Sequence, residues 1–268
     1  MSRFDLSGEI AVVIGGTGVL GGHIAVGFGE AGADVVVMGR RAEAGAERVA
    51  EIEAVGGKAT YVRCDAADPA SVAEAHAETR DRVGEVSVLL NAAGGNSPSV
   101  TVTDDHPFEA IYLDAWHDNF ALNFDAGILH PCREFGPAMV ANGRGSIINI
   151  ASVTSHLPLS RVVTYSAAKA AVLSLSRFLA REWADKGVRV NTLTPGFFPA
   201  EQNMQFLFNE DGSPTDRTKS ILGHLPMDRL GKPEELVGAA IFLAAEKASS
   251  YVTGSDIVVD GGFLAMTI

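Results

Sequence analysis

The chain has few cysteines and no long apolar run. Two cysteines, Cys64 and Cys132, occur in 268 residues. They show neither metal-ligand spacing nor disulfide density, so we expect two small core residues in a reducing compartment. No stretch approaches the about 18 consecutive apolar residues of a membrane helix. The first residues lack the basic start and apolar run of a secretory signal. The sequence therefore predicts a cytoplasmic protein that neither enters nor binds a membrane.

Basic residues are also scarce. The 21 Lys and Arg side chains face 33 Asp and Glu, for a formal net charge of −12. This balance disfavours a nucleic-acid binder, whose affinity depends on cations facing phosphates. No histidine pair has ligand-like spacing beside a carboxylate, so no metal is predicted. With 47% apolar and 20% charged residues the chain can bury a core, which excludes disorder. We expect a small-molecule partner.

Short β-branched runs alternate with amphipathic helical stretches along the whole chain. The predicted strands are 10–14, 35–38, 59–63, 86–91, 146–150, 188–193 and 256–259. The predicted helices lie near 20–31, 42–55, 69–83, 115–141, 163–186 and 233–247. Unbroken apolar strands that alternate with helices predict an α/β fold: a doubly wound, seven-stranded parallel sheet with helices on both faces. Without a linker or repeat, residues 1–268 are predicted to form one Rossmann-type domain.

Two segments are longer than ordinary connections. They span about 96–114 and about 197–229, and each follows the carboxyl end of a predicted strand. Open α/β sheets bind ligands at that edge. We therefore interpret both segments as substrate loops, with surface decoration as the alternative.

A glycine-rich turn joins the first predicted strand to the first predicted helix. Residues 16–21 match GxGxxG, and Gly15 precedes them. Such a turn brings backbone N–H groups against a pyrophosphate at a helix N-terminus, and its place between strand and helix supports dinucleotide binding. The candidate contacts are Gly15, Thr17, Gly18, Val19 and Leu20.

The end of the second strand indicates which dinucleotide binds. It reads Gly39-Arg40-Arg41, without the carboxylate that binds the ribose 2′-hydroxyl of NAD. Two guanidiniums can bind a 2′-phosphate instead. NADP(H) is favoured over NAD(H). The alternative is that Arg40 and Arg41 only open a solvated helix.

The predicted helix after residue 163 carries Tyr165 and Lys169, four residues apart and on one face. A nearby ammonium favours phenolate and is expected to lower the pKa of Tyr165, which would then serve as an acid or base near neutral pH. Ser152 follows the strand 146–150. Its hydroxyl can thus lie beside the phenol.

With these residues the chain resembles the short-chain dehydrogenases/reductases over nearly its whole length. The features that carry the resemblance are the glycine turn, Asp65, Asn91-Ala92-Ala93-Gly94, Asn123, Ser152, Tyr165-x-x-x-Lys169, Pro195-Gly196, Val252-Thr253-Gly254 and Asp260-Gly261-Gly262. The resemblance implies cofactor contacts from Asp65, Asn91, Ala92, Gly94, Tyr165, Lys169, Pro195 and Gly196. It also implies that Tyr165 donates the proton, Ser152 binds the reacting oxygen, Lys169 holds the nicotinamide ribose, and Asn123 completes a water-linked relay.

Two positions depart from the family pattern. Val19 stands where the family turn has its second glycine, although Gly18 is adjacent. Ala200 stands where the family often has a threonine that contacts the nicotinamide amide.

Within the family the chain is similar to the D-mannonate oxidoreductase (fructuronate reductase) branch. The likeness lies in Ala93-Gly94-Gly95-Asn96-x-Pro98, the long segment before Asn123, Pro195-Gly196-Phe197-Phe198, Glu201-Gln202-Asn203 and the run 207–213. It implies a sugar acid, bound in a polar pocket. The candidate substrate residues are Asn96, Ser97, Ser152, His156, Arg161, Gln202 and Asn203. The alternative for most of them is ordinary loop hydrogen bonding.

Other functions remain open at this point. The substrate could be another small polyol, a keto-sugar or a 3-oxoacyl-type carbonyl. A cofactor-retaining epimerase or dehydratase would usually carry a larger C-terminal domain. A non-enzymatic dinucleotide sensor is expected to lack the serine, tyrosine or lysine, and all three are here. The family resemblance and the apolar C-terminal end, 262–268, predict a homo-oligomer, in particular a tetramer.

Overall fold

The computed structural model of the chain describes residues 2–199, 204 and 207–267. Its strands form one parallel sheet in the order β3-β2-β1-β4-β5-β6-β7. The strands are β1 (Ile10–Ile14), β2 (Asp34–Gly39), β3 (Lys58–Arg63), β4 (Val88–Asn91), β5 (Gly145–Ile150), β6 (Val188–Pro195) and β7 (Asp256–Val259). The order reverses beside β1, so the predicted doubly wound α/β sheet is confirmed.

Helices cover both faces of the sheet. They are α1 (Val19–Glu30), α2 (Ala42–Ala54), α3 (Pro69–Arg82), α4 (Leu113–Ala121), α5 (His130–Ala141), α6 (Val163–Trp183), α7 (Asp216–Leu222), α8 (Val237–Ala244) and α9 (Glu246–Ser249). On one face Phe28 of α1 and Leu243 of α8 pack against odd-numbered β1 residues such as Val13. On the other, Phe135 of α5 and Val172 of α6 pack against the alternate strand residues. Central strands buried on both faces explain the unbroken apolar runs.

The predicted helix 115–141 is interrupted. Between α4 and α5 the chain forms a π-helix over Leu122–Leu129. Pro131 follows at the start of α5. Pro131 has no N–H with which to continue the helical hydrogen-bond ladder at this junction.

The segment 197–229 is not a plain loop. It contains α7, which begins at Asp216. The side chain of Thr215 caps this helix by accepting a hydrogen bond from Thr218 N. Leu207, Ile221 and Leu225 form a small separate core with Phe197 and Phe263 among its neighbours. The predicted helix 233–247 likewise divides into a 3₁₀ turn (Pro233–Leu236), α8 and α9, with extended Ala245 between the last two. In the described part of the chain, no helix is long and apolar enough to cross a membrane.

Candidate active site

Ser152, Tyr165 and Lys169 are brought together at the carboxyl end of β5. Ser152 is buried and caps a 3₁₀ turn (Val153–Ser155), because its hydroxyl accepts a hydrogen bond from Thr154 N at 3.2 Å. The first turns of α6 place Lys169 Nζ 5.7 Å from the centre of the Tyr165 ring. The buried ammonium donates a hydrogen bond to Ile150 O at 2.8 Å. This contact ties α6 to the last carbonyl of β5.

The protonation of this group differs from the expectation in one respect. Burial lowers the pKa of Lys169 to about 8. Burial also raises the pKa of Tyr165, and a hydrogen bond with the Ser152 side chain offsets only part of that rise. The prediction that the ammonium lowers the tyrosine pKa is therefore wrong for the protein without ligands. Desolvation penalises the phenolate and sets the direction of the shift in the pKa of Tyr165.

Asn123 holds the loop that follows β4. Its Nδ2 donates hydrogen bonds to Gly95 O and Asn119 O, both at 2.8 Å, and its Oδ1 accepts one from Gly95 N at 2.9 Å. Gly94 has φ 147°, and a Cβ there would lie 2.6 Å from Asn123 Oδ1. The loop therefore requires glycine at this close approach. Both amide protons of Asn123 are engaged, so its side chain has no proton left to donate to a relay.

The glycine turn leaves the start of α1 open. Gly15 has φ 79°, and a Cβ there would lie 2.8 Å from Ala93 N. A Cβ on Gly21 would lie 2.7 Å from Gly15 O. Gly18 is the N-cap of α1 and offers no side-chain cap. Uncapped N–H groups at a helix start bind anions. A close-packed turn beside an open helix start therefore fits a dinucleotide pyrophosphate.

Val19 is accommodated because of its place in this turn. It is the first residue of α1 and has helical neighbours on its C-terminal side. The close approach is instead made by Gly15 and Gly21. A side chain at position 19 leaves that approach intact.

The end of β2 lies against the glycine turn. Arg41 Nη2 donates a hydrogen bond to Thr17 O at 2.9 Å, so one of the two predicted guanidiniums reaches the turn. Arg40 is exposed. A Cβ on Gly39 would lie 2.5 Å from Thr17 Oγ1, so a carboxylate at position 39 would first have to displace the Thr17 side chain.

The other candidate cofactor residues lie along the same sheet edge. Asp65 follows β3, and its Oδ1 accepts a hydrogen bond from Ala67 N at 3.1 Å. The side chain of Asn91 is buried and donates to Asn149 Oδ1 at 2.8 Å, so it joins β4 to β5. Ala92 N donates to Ile14 O at 2.9 Å. Pro195 ends β6, and Gly196 N donates to Val259 O at 2.9 Å.

The candidate substrate residues have different surroundings. Asn96 Nδ2 donates to Thr101 Oγ1 at 2.8 Å, and Ser97 Oγ accepts from Ser99 N at 3.3 Å. Both thus make the local loop hydrogen bonds that were the alternative for them. Arg161 is exposed and has φ 75°, in the left-handed region. Gln202, Asn203 and Ala200 lie outside the described residues.

His156 belongs to a polar cluster that the sequence does not predict. Its Nε2 and Asp256 Oδ2 are 2.8 Å apart. The other carboxylate oxygen of Asp256 accepts hydrogen bonds from Thr192 and Thr194, each at 2.6 Å. The Asp256 side chain is only 10% exposed. The cluster therefore holds the loop after Ser152 against β6 and β7. No local sequence pattern predicts it, because its members lie far apart in the chain.

Comparison with known proteins identifies the family. A family model described as enoyl-(acyl carrier protein) reductase matches residues 17–264. An uncharacterized oxidoreductase of Bacillus subtilis strain 168 is 37% identical over 97% of this chain and 96% of its own length. The chain belongs to the short-chain dehydrogenase/reductase family. As a member, it is an NAD(P)-dependent oxidoreductase that acts on CH–OH groups.

Two solved structures of the family are also similar to this dehydrogenase/reductase. One, from Haemophilus influenza, is provisionally assigned as a D-mannonate oxidoreductase and contains NAD. It is 32% identical with a TM-score of 0.92, covering 98% of this chain and 97% of that one. The other is a gluconate 5-dehydrogenase from Burkholderia cenocepacia J2315 in complex with NADP and tartrate. It is 34% identical with a TM-score of 0.88, covering 99% of this chain and 98% of that one.

The buried lysine predicts a pH-dependent stability. Its ordinary pKa of 10.5 falls to about 8 in the folded protein. Between those values the unfolded chain binds a proton that the folded chain does not, so stability rises with pH. We therefore compare the wild type with the Lys169→Met variant. As the pH rises from 8 to 10, we expect the free energy of unfolding of the wild type to increase by about 2–3 kcal/mol relative to that of the variant.

Denaturant unfolding of both proteins across that pH range measures the difference. Lys58, whose side chain is 83% exposed, provides the control, since Lys58→Met removes a solvated ammonium. A constant gap between the wild type and Lys169→Met at every pH would contradict the burial argument.

Proposed function

We propose that the protein transfers a hydride between a nicotinamide cofactor, NADP(H) rather than NAD(H), and a sugar acid of the D-mannonate or D-fructuronate type. The observation that carries the reaction is the meeting of Ser152, Tyr165 and the buried Lys169 at the end of β5. The sugar-acid class is supported by the two similar structures, one provisionally a D-mannonate oxidoreductase and one a gluconate 5-dehydrogenase. The whole chain acts as one catalytic unit, with the segments 96–114 and 197–229 facing the substrate. A cytoplasmic location stays a prediction.

The side chains divide the chemistry as follows. When bound, the nicotinamide supplies or accepts the hydride. In the reductive direction Tyr165 donates its phenolic proton to the oxygen of the substrate carbonyl, and Ser152 donates a hydrogen bond to the same oxygen. The raised pKa of Tyr165 keeps this proton in place in the free protein. In oxidation the proton returns to Tyr165 from the substrate hydroxyl. Lys169 orients the ribose, and Asn123 keeps the loop at Gly94–Gly95 in position.

The cofactor preference is supported by charge at the end of β2. Gly39 presents no carboxylate there, and Arg41 reaches across to the glycine turn. The two similar structures do not decide between cofactors, since one contains NAD and the other NADP.

We further propose that the protein is a homotetramer. β7 is the edge strand of the sheet, and Val258 on it is 40% exposed. Phe178 on α6 is 56% exposed and Met266 near the C-terminus is 49% exposed. Exposed apolar surface and an uncovered strand edge are typical of interfaces.

Replacing the proton donor tests the catalytic assignment. We expect Tyr165→Phe to lower kcat by about 10²–10⁴-fold, the usual contribution of an acid–base group, while NADPH affinity measured by fluorescence changes little. Tyr251→Phe is the matched control, because that side chain is fully exposed. A Tyr165→Phe variant that kept half of the wild-type kcat would refute the assignment.

Replacing the arginines tests the cofactor preference. We expect the wild type to have the lower KM for NADP(H). Arg41→Ala should reduce the preference by about tenfold or more, the value of a charge-assisted hydrogen bond. The same measurement on Arg40→Ala distinguishes the contribution of Arg40 to the cofactor preference from that of Arg41. Because Arg41 also supports Thr17 O, equal losses for both cofactors would mean that it only braces the turn.

The oligomer and the substrate are tested directly. Light scattering at micromolar concentration should give four times the 28.1 kDa of one chain; a monomer would overturn the tetramer.

Steady-state assays of hexuronates, aldonates, polyols and 3-oxoacyl compounds with each cofactor should give the highest kcat/KM for a sugar acid. A higher value for polyols or 3-oxoacyl compounds would replace the proposed substrate.

A further inference from the structure

The residue that is proposed to bind the reacting oxygen begins a short turn after β5. Ser152 is the N-cap of the 3₁₀ turn Val153–Ser155. Its hydroxyl accepts a hydrogen bond from Thr154 N at 3.2 Å, and its carbonyl oxygen accepts one from Ser155 N at 2.8 Å. The orientation of the Ser152 side chain is therefore tied to the position of the turn that follows it.

Two side chains hold the far end of this turn. Ser155 Oγ donates a hydrogen bond to Lys169 O at 2.8 Å, which attaches the turn to α6. His156 is the C-cap of the turn, and its Nε2 lies 2.8 Å from Asp256 Oδ2 at the start of β7. Because a carboxylate only accepts hydrogen bonds, the imidazole is the donor in this contact. The far end of the turn is thus held between α6 and the sheet.

The carboxylate that receives His156 is itself fixed in orientation. Asp256 lies opposite Thr192 where β6 pairs with β7. Its Oδ1 accepts hydrogen bonds from Thr192 Oγ1 and Thr194 Oγ1, each at 2.6 Å, and both threonines are buried. Side chains locked by packing and hydrogen bonding can hold a neighbouring group in one geometry. The two threonines therefore set the direction in which Asp256 presents Oδ2 to His156.

The contact between His156 and Asp256 matters for geometry more than for global stability. An ion pair whose imidazole is 30% exposed adds little to the free energy of unfolding. It does fix one point of a loop against a rigid strand, four residues after Ser152. The sequence places His156 among the candidate substrate residues. In the structure its Nε2 is engaged by Asp256, so only Nδ1 is left for a ligand.

We propose that His156 and Asp256 are positioning residues, which hold the Ser152 hydroxyl where it meets the reacting oxygen. This inference rests on the role of Ser152 in the proposed function and is independent of the identity of the substrate. Neither residue gives or takes a proton in the reaction. Without their contact, Ser155 is the remaining side chain that attaches the far end of the turn, and the Ser152 hydroxyl can move away from the reacting oxygen. A displacement of about 1 Å at a catalytic group can cost about 10²-fold in rate.

Hydrogen exchange measured by mass spectrometry tests the anchor directly. In the presence of NADP⁺, His156→Ala should raise the exchange rate of the segment 152–157 by about tenfold and leave that of α1 unchanged, because only the turn opens more often. His156→Gln retains a side-chain N–H and should recover part of the protection. His117→Ala is the matched control, since it removes an exposed histidine from α4. Unchanged exchange of 152–157 in His156→Ala would overturn the proposal.

Steady-state kinetics test whether the anchor acts through Ser152. The substrate is whichever of D-mannonate, D-gluconate and D-mannitol the wild type turns over best. His156→Ala should lower kcat by about tenfold or more and leave the Kd for NADPH unchanged, because it disturbs a group that acts on the transition state. His156→Gln should recover part of kcat, and His117→Ala should retain all of it. When Ser152→Ala has already removed the hydroxyl, adding His156→Ala should change kcat by no more than about twofold.

The outcomes separate this inference from the proposed function. If His156→Ala leaves kcat unchanged, or lowers it equally with and without the Ser152 hydroxyl, the positioning role is wrong and the proposed function stands. If Ser152→Ala keeps half of the wild-type kcat, the proposed role of Ser152 fails and the positioning role fails with it. If none of the three compounds is turned over, the proposed function fails, and hydrogen exchange alone decides whether the pair anchors the turn. Thermal unfolding of each variant verifies that it is folded at the assay temperature.

Discussion

The hydrogen bond from Lys169 Nζ to Ile150 O fixes the geometry of the candidate active site. It joins the first turns of α6 to the last carbonyl of β5 at 2.8 Å. The ammonium is almost fully buried, and the free-energy cost of its desolvation is visible in its pKa of about 8. The same side chain lies beside the Tyr165 ring, so the buried cation and the phenol occupy the same end of α6. Ser152 shares the position because it follows β5 directly.

A second constraint comes from amide groups rather than charge. Asn123 of the π-helix and Asn119 of α4 both donate to Gly95 O, at 2.8 and 3.2 Å, so these two elements together fix the loop that follows β4. The Asp256 carboxylate fixes the loop after β5 in a comparable way through His156. Both of these loops are thus fastened by a side chain from a different element. This arrangement positions functional loops on a rigid scaffold.

The sequence predicts well where a pattern is local. The runs 10–14 and 256–259 match strands residue for residue. For 10–14 the reason is that a strand buried on both faces needs an unbroken apolar run. Structure that depends on distant partners is not predicted. The π-helix lies within a stretch whose sequence pattern is that of an ordinary helix, and α7 is too short to show a period. The Asp256 cluster joins residues that are more than 60 positions apart in the chain. The pKa of Tyr165 was predicted in the wrong direction because burial cannot be read from spacing.

The positions of the glycine turn differ in whether they accept a side chain. Close contacts with backbone atoms fall on Gly15 and Gly21, whereas position 19 accepts valine because it is already helical. Chemical variation is therefore confined to one side of the turn. A substitution at the start of α1 can therefore alter size and polarity without disturbing the close contacts of Gly15 and Gly21. Substitutions there would leave the shape of the turn unchanged while removing residues by which the motif is recognised in a sequence.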